Sequence, residues 1–383
     1  MDRQLLPFLA PLLMAEFRFD QVRYGFLLSA FSIAYALASL FMGWFLDRVG
    51  INRGISAAVA WWSTSAACTG LVSGVAGLGI CRAALGIGEA AGVPAVGKLN
   101  GMYLRPGERA LGAALNQVGL SLGAALVTAS SLVATRYSWR VPFVVMGVLG
   151  LLWIPLWLAV SRAIPYTQPV LPPPASTGET WSLLRDRNLI LLVVANVLWM
   201  GAYSIWFNWT TLYLVNVHGL TLKQAAGFVW IPPLVSNLGG FFGGWLSLRW
   251  MSRGVDTVAA RRRAVFVGAA GMLSTLLLPL ASNPVAATSV ISASFFFALA
   301  GSVNIYALPI DLYGPSRAGF TISALTFAFG VLQTVISPIV GWLGDHRLYH
   351  QVAFLAAVPP VLGALTLAFV TSPRQSPEPS PVQ

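Results

Sequence analysis

Arg82 and Glu89 stand seven residues apart in a run that holds no other charge between Gly74 and Gly97, and Asp2 and Arg3 open another apolar run. In lipid, an ionised side chain at mid-helix costs about 2.5–3.5 kcal/mol on insertion scales, so such groups need partners or a function. Two cations and two carboxylates at that depth can bind an anion and move a proton. Seven residues return to nearly the same helical face and rise roughly 10 Å. That is too far for a relaxed ion pair along one helix, so Arg82 and Glu89 need partners on another helix or on a ligand. Asp2 and Arg3 are neighbours that point to different sides and do not pair with each other. The competing reading of Arg82 is a side chain snorkelling to the interface. Glu89, deeper in its run, lacks that escape, whereas Lys98 near the end of the run is read as snorkelling.

The elements that must position these groups are membrane helices. Of 383 residues, 57% are hydrophobic and only 9% charged, against roughly 25% charged in a soluble domain. Apolar runs predict helices near 2–14, 24–46, 54–76, 78–103, 109–133 and 139–161, then near 188–216, 222–248, 263–282, 284–309, 317–340 and 350–371. Between the sets, 162–187 is rich in proline and charge and reads as an exposed linker. The expectation is an all-α membrane protein with an N-terminal six-helix bundle over 1–161, a C-terminal one over 188–372 and a tail over 373–383. The first run, about 13 residues, would span roughly 20 Å of a ~30 Å hydrocarbon core. This suggests a truncated first helix, from a misplaced start codon or a real truncation.

Charge sets the topology. With the linker inside, fourteen of the 23 lysines and arginines fall in inside loops and tail and six in outside loops. This predicts a multi-pass protein of the cell membrane with linker and C-terminus cytoplasmic. The net charge of +11 is accounted for by these loop arginines, so no nucleic-acid partner is expected. Cys68 and Cys81 lie within predicted spans and suggest neither a disulfide framework nor a metal site. The three histidines, His218, His346 and His350, fall in loops, which speaks against a haem, metal or triad enzyme. No cofactor is expected.

The segment Gly43-Trp44-Phe45-Leu46-Asp47-Arg48-Val49-Gly50-Ile51-Asn52-Arg53 resembles the signature loop of the major facilitator superfamily. Gly43 allows close helix approach, and Asp47 can face the positive end of a neighbouring helix. The resemblance implies a conformational latch at Gly43, Asp47, Arg48, Gly50 and Arg53. The pseudo-repeat Gly243-Gly244-Trp245-Leu246-Ser247-Leu248-Arg249 carries Leu248 where an aspartate is common, so a latch in the second half must differ. Within the superfamily, Asp2-Arg3, Arg82 through Glu89 with Pro94, Glu108-Arg109-Ala110, Ala307-Leu308-Pro309-Ile310-Asp311, Arg317-Ala318-Gly319 and Pro338-Ile339-Val340-Gly341 resemble the anion:cation symporters, nearest their hexuronate-type members. That resemblance implies Arg3 on a substrate carboxylate, Asp2 and Glu89 as proton carriers, and Arg82 as modulator of one of them.

No Arg, Lys or His falls inside the predicted spans of the second half, which offers neutral groups instead. Candidate substrate contacts are Tyr35, Tyr203, Trp209, Asn304 and Gln333 beside Arg3: amides suit hydroxyls and aromatic faces suit the apolar side of a sugar. The alternative is that such amides join helices and that the stripe Tyr24, Phe31, Tyr35 is packing. The expected function is proton-coupled symport of a small organic anion such as a hexuronate or other sugar acid, by a monomer alternating access. Uncoupled or sodium-coupled carriage, or antiport, of another carboxylate or sugar-like solute is the alternative. An organophosphate antiporter would carry a second basic residue on the seventh helix, and a multidrug antiporter a proline within Gly119–Gly123; neither is present.

Overall fold

The protein is described by a computed structural model, over residues 2–103, 133–164 and 182–371, with positions 119, 123, 126, 127 and 130 between them. The expected fifth helix near 109–133, the expected linker over 162–187 and the expected tail over 373–383 lie mostly or wholly outside the described residues. The first half contains α1 (Asp2–Phe17), α2 (Gln21–Val49), α3 (Ile51–Thr69), α4 (Val75–Glu89), α5 (Gly92–Tyr103) and α6 (Arg140–Ala163). The second contains α7 (Arg187–His218), α8 (Leu222–Val229), α9 (Ile231–Met251), α10 (Thr257–Met272, continuing as a tighter 3-10 turn to Leu280), α11 (Pro284–Ile305), α12 (Leu308–Tyr313), α13 (Pro315–Asp345) and α14 (Tyr349–Leu367). Among the described residues, nine segments are long and apolar enough to cross a membrane. The 16-residue α1 and the less apolar α3 stand beside them.

Local sequence starts these helices. Asp20 accepts from the Arg23 amide at 2.8 Å, Asp186 from Leu189 at 3.0 Å, and Asn283 from Ala286 at 2.9 Å. Thr221 and Gln224 form a reciprocal box at the start of α8. At Gly50, φ is +86°, which lets α2 turn directly into α3 where a side chain would be strained.

Three predicted spans are broken rather than continuous. The fourth is interrupted at Ala90–Ala91, the eighth at Trp230 and the tenth at Tyr306–Ala307. Each break has a proline downstream, and a proline ring in a continuous helix would clash with the carbonyl four residues back, here Ala90 for Pro94, Val229 for Pro233 and Ile305 for Pro309. The first helix runs to Phe17, three residues beyond expectation, about 24 Å at 1.5 Å per residue.

Each half packs on itself, α2 against α4, α3 against α4 and α6, and α9 against α11, α7 against α14 and α11. The halves meet mainly where α2 crosses α13, and where α1 crosses α7. The α2–α13 contact is made of backbone. A Cβ on Gly25 would lie 2.5 Å from the Ser337 carbonyl oxygen, and one on Gly341 would collide with the Gln21 carbonyl. Ser29 Oγ donates to the Thr334 carbonyl at 2.6 Å. The Asp345 carboxylate accepts from the amides of Gln21 and Val22 at 3.0 and 3.1 Å, so the last residue of α13 caps the first turn of α2. These cross-half contacts run along the first half of α2. Toward Gly50, α2 makes no hydrogen bond to the second half among the described residues, and a Cβ on Gly43 would meet nothing within 4 Å. Among the described residues, the halves are closed at the Gln21–Asp345 end and parted at the Gly50 end.

Candidate functional site

Close approach of α4 to α2 builds the site. Gly86 presses against the Phe31 carbonyl so tightly that a Cβ would overlap it. One turn earlier Arg82 sets its guanidinium 4.8 Å from the Phe31 ring centroid. Glu89 ends α4, the last residue before the break.

From the first turn of α1, Arg3 reaches Glu89 with Nε at 2.9 Å and Nη2 at 2.8 Å, both on Oε2. Its Cζ lies 4.7 Å from the Phe31 centroid and 4.8 Å from that of Tyr35, whose rings stack 5.8 Å apart. A cation held on two ring faces gains about 0.5–2 kcal/mol per ring while its outer edge stays available: the Arg3 side chain is 38% exposed, Glu89 16%. The expected cross-helix pairing is therefore present, between Arg3 and Glu89.

Arg82 is different. It is 2% exposed, and among the described residues its Nε and Nη1 have no hydrogen-bond partner. Leaving charged donors unpaired underground costs about 1–3 kcal/mol or more. What holds the charge is the Phe31 face and the nearby carboxylates of Glu89 and Asp2, offset by Arg3. Snorkelling is excluded by this burial. Asp2 is half-buried within electrostatic reach of Glu89 and Arg82, so all four charged groups converge.

From the second half, Tyr203 approaches Arg3 closely enough to feel its charge, stacked on Phe207 at 5.7 Å and edge-on to Phe295 at 5.1 Å. Tyr306, at the break after α11, lies near Tyr35, Asn196 and Thr326. Gln333 is half-buried on α13, with no side-chain hydrogen bond among the described residues.

Two expected substrate contacts are packing residues instead. Trp209 is buried edge-on against Tyr24, 5.0 Å between centroids, and Tyr24 donates to the Asn208 carbonyl at 2.9 Å. Asn304 is fully buried and donates to the carbonyls of Gly243 and Ala300, both at 3.0 Å, tying α11 to α9 where Gly239 and Gly243 meet the α11 backbone. Tyr306 belongs to the group around Tyr35 although no charge or motif singles it out; its one signal in the sequence is its place three residues before Pro309, at the break between α11 and α12.

At the Gly50 end, Lys98 pairs with Asp47 and reaches the Gly43 carbonyl at 3.4 Å. This corrects its reading as a snorkelling residue and gives Asp47 a side-chain partner rather than a helix terminus. Gly50 makes the turn, Arg53 is exposed on α3, and Arg48 turns outward over Trp44. In the second half, where Leu248 replaces the aspartate, Arg261 pairs with Asp311 across α10 and α12, and Tyr313 donates to Asp186.

The chain is 27% identical to the hexuronate transporter of Escherichia coli (strain K12) over 94% of its own length and 87% of that protein's. It is 25% identical to the galacturonate transporter of Dickeya chrysanthemi, over 74% and 88%, and 24% identical to the D-galactonate transporter of Escherichia coli O6:H1, over 95% and 90%. Its fold matches an inward-facing, unoccupied bacterial homolog of the human lysosomal transporter Spinster with a TM-score of 0.71, covering 96% of this chain and 91% of that one at 18% identity. The family model of the Major Facilitator Superfamily matches residues 1–310, and the chain therefore belongs to that superfamily as a multi-pass membrane transporter, not an enzyme.

Proposed function

We propose that the protein is a proton-coupled symporter of a small organic anion, a hexuronate or related sugar acid, working as a single chain in the cell membrane with its linker and C-terminus cytoplasmic. The observation that carries this reading is the Arg3–Glu89 pair, held on the Phe31 and Tyr35 faces with Arg3 still partly exposed. The side chains of Asp2, Arg3, Arg82 and Glu89 sum to zero formal charge. An arriving carboxylate makes the cluster negative, and one proton on Glu89 or Asp2 restores neutrality before the site closes in lipid, where a net charge is costly. The substrate carboxylate competes with Glu89 for the same guanidinium fork, so protonating Glu89 releases Arg3 to the substrate. This linkage needs no further device.

The sugar-acid class is supported by the functions of the relatives and by the hydroxyls of Tyr35 and Tyr203 near Arg3 and of Tyr306 near Tyr35, which suit those of a sugar. With the linker inside, the contact between α2 and α13 closes the outer end and the open end faces the cytoplasm.

The test is uptake into proteoliposomes under an imposed pH gradient. Glu89→Gln is expected to abolish pH-driven accumulation while retaining substrate exchange. Concentrative uptake in that variant, or accumulation that follows sodium and ignores pH, overturns the proposal.

A further inference from the structure

The apolar faces of α2 and α9 repeat each other at a fixed offset of 201 residues. On α2, Ile33, Leu37, Leu40 and Trp44 are exposed, and on α9 so are Leu234, Leu238, Phe241 and Trp245. The spacing within each set is four, three and four, a single helical stripe. All eight side chains are between 36% and 67% exposed. An exposed stripe without a polar member is suited to acyl chains and not to a water-lined cavity.

Each stripe ends in the same device. One turn past the tryptophan, Arg48 stands over Trp44 with Cζ 5.7 Å from the ring centroid, and Arg249 over Trp245 at 5.6 Å. Both arginines are exposed, and among the described residues neither has an acidic partner. Asp47, the adjacent acid on α2, is engaged by Lys98, and Leu248 takes the matching place on α9. Tryptophan above an apolar stripe marks the level of the lipid headgroups. A guanidinium parked on its ring has its donors free for a planar, doubly bonded anion such as a phosphodiester. The α9 copy adds Arg253, exposed one turn further.

We infer that Trp44–Arg48 and Trp245–Arg249 form a pair of equivalent sites, one on each half, that hold the headgroup phosphate of anionic phospholipids in the leaflet on the linker side. The sites lie apart from Arg3 and Glu89 and do not depend on the transport proposal. A basic residue near an anionic surface contributes about 1 kcal/mol, so each arginine is expected to change anionic-lipid occupancy about fivefold.

The experiment uses the full chain purified in detergent, titrated with phosphatidylglycerol and separately with phosphatidylcholine, with retained lipids counted by native mass spectrometry. Arg48→Gln with Arg249→Gln is expected to remove the preference for phosphatidylglycerol. Arg162→Gln with Arg185→Gln, equal in charge and on the same side, is expected to keep it. Trp44→Leu with Trp245→Leu, which leaves the charge intact, should weaken it partially. Equal loss in both arginine pairs means attraction by net charge alone and overturns the inference, as does an unchanged preference in Arg48→Gln with Arg249→Gln. Loss of folding in that variant would show as an altered charge-state envelope; single substitutions, each expected to lose half the bound anionic lipid, then decide the matter.

Discussion

Arg3 and Arg82 carry the same charge in opposite settings, and the contrast predicts how each responds to substitution. Arg3 spends its fork on Glu89 and two ring faces. Arg3→Lys keeps the charge but loses planar stacking and the second donor, and a charge-assisted bond is worth about 1.5–3 kcal/mol. Substrate affinity measured by thermal shift or counterflow should fall roughly 10- to 100-fold; unchanged affinity would remove Arg3 from the site. Arg82 is buried with two donors unpaired, so its presence is poorly explained by stability. Replacing buried ionic groups with apolar ones of similar volume is often neutral or stabilising. Arg82→Met should therefore melt no lower than the parent while transport drops at least tenfold. A lower melting temperature would make Arg82 structural. The charges were legible from the sequence because depth in an apolar run is itself a cost. Which cation met which carboxylate was not, because pairing depends on where α1 crosses α4.

At the scale of elements, closure rests on backbone-to-backbone contact between α2 and α13. Such contact tolerates no added atom, as Gly25 and Gly341 show. Gly341→Ala should force the two helices apart and shift the protein toward the conformer closed at the Gly50 end. Spin labels on the Gln21–Asp345 end would report this as longer distances, and unaltered distances would contradict it. The Asp345 carboxylate caps α2 from the other half, and a lost cap costs about 1 kcal/mol. Asp345→Ala should thus change the ratio of the two conformers about fivefold in the same direction. Helix positions followed from the apolar runs. The interruption of α4 at Ala90–Ala91 did not, although Pro94 was in plain view, because many prolines are carried without a break, Pro338 within α13 among them.

For the whole molecule, alternating access requires the two ends to open in turn. Ser29 and Thr334 touch across the halves, so cysteines at these positions should cross-link readily in ligand-free protein and arrest uptake until reduced. Continued uptake in the oxidised protein would show that this contact need not part. The many apolar spans and the placement of Arg82 and Glu89 within one of them were determined by the amino-acid sequence, since hydrophobic run length and charge density are local properties that lipid enforces residue by residue. The Arg3–Glu89 pair, the isolation of Arg82, the removal of Trp209 and Asn304 into packing, the Lys98–Asp47 contact and the choice of which end stands open were decided only by tertiary structure. These depend on how helices distant in sequence lean on one another, and a few ångströms of lean separate a ligand contact from a buried hydrogen bond.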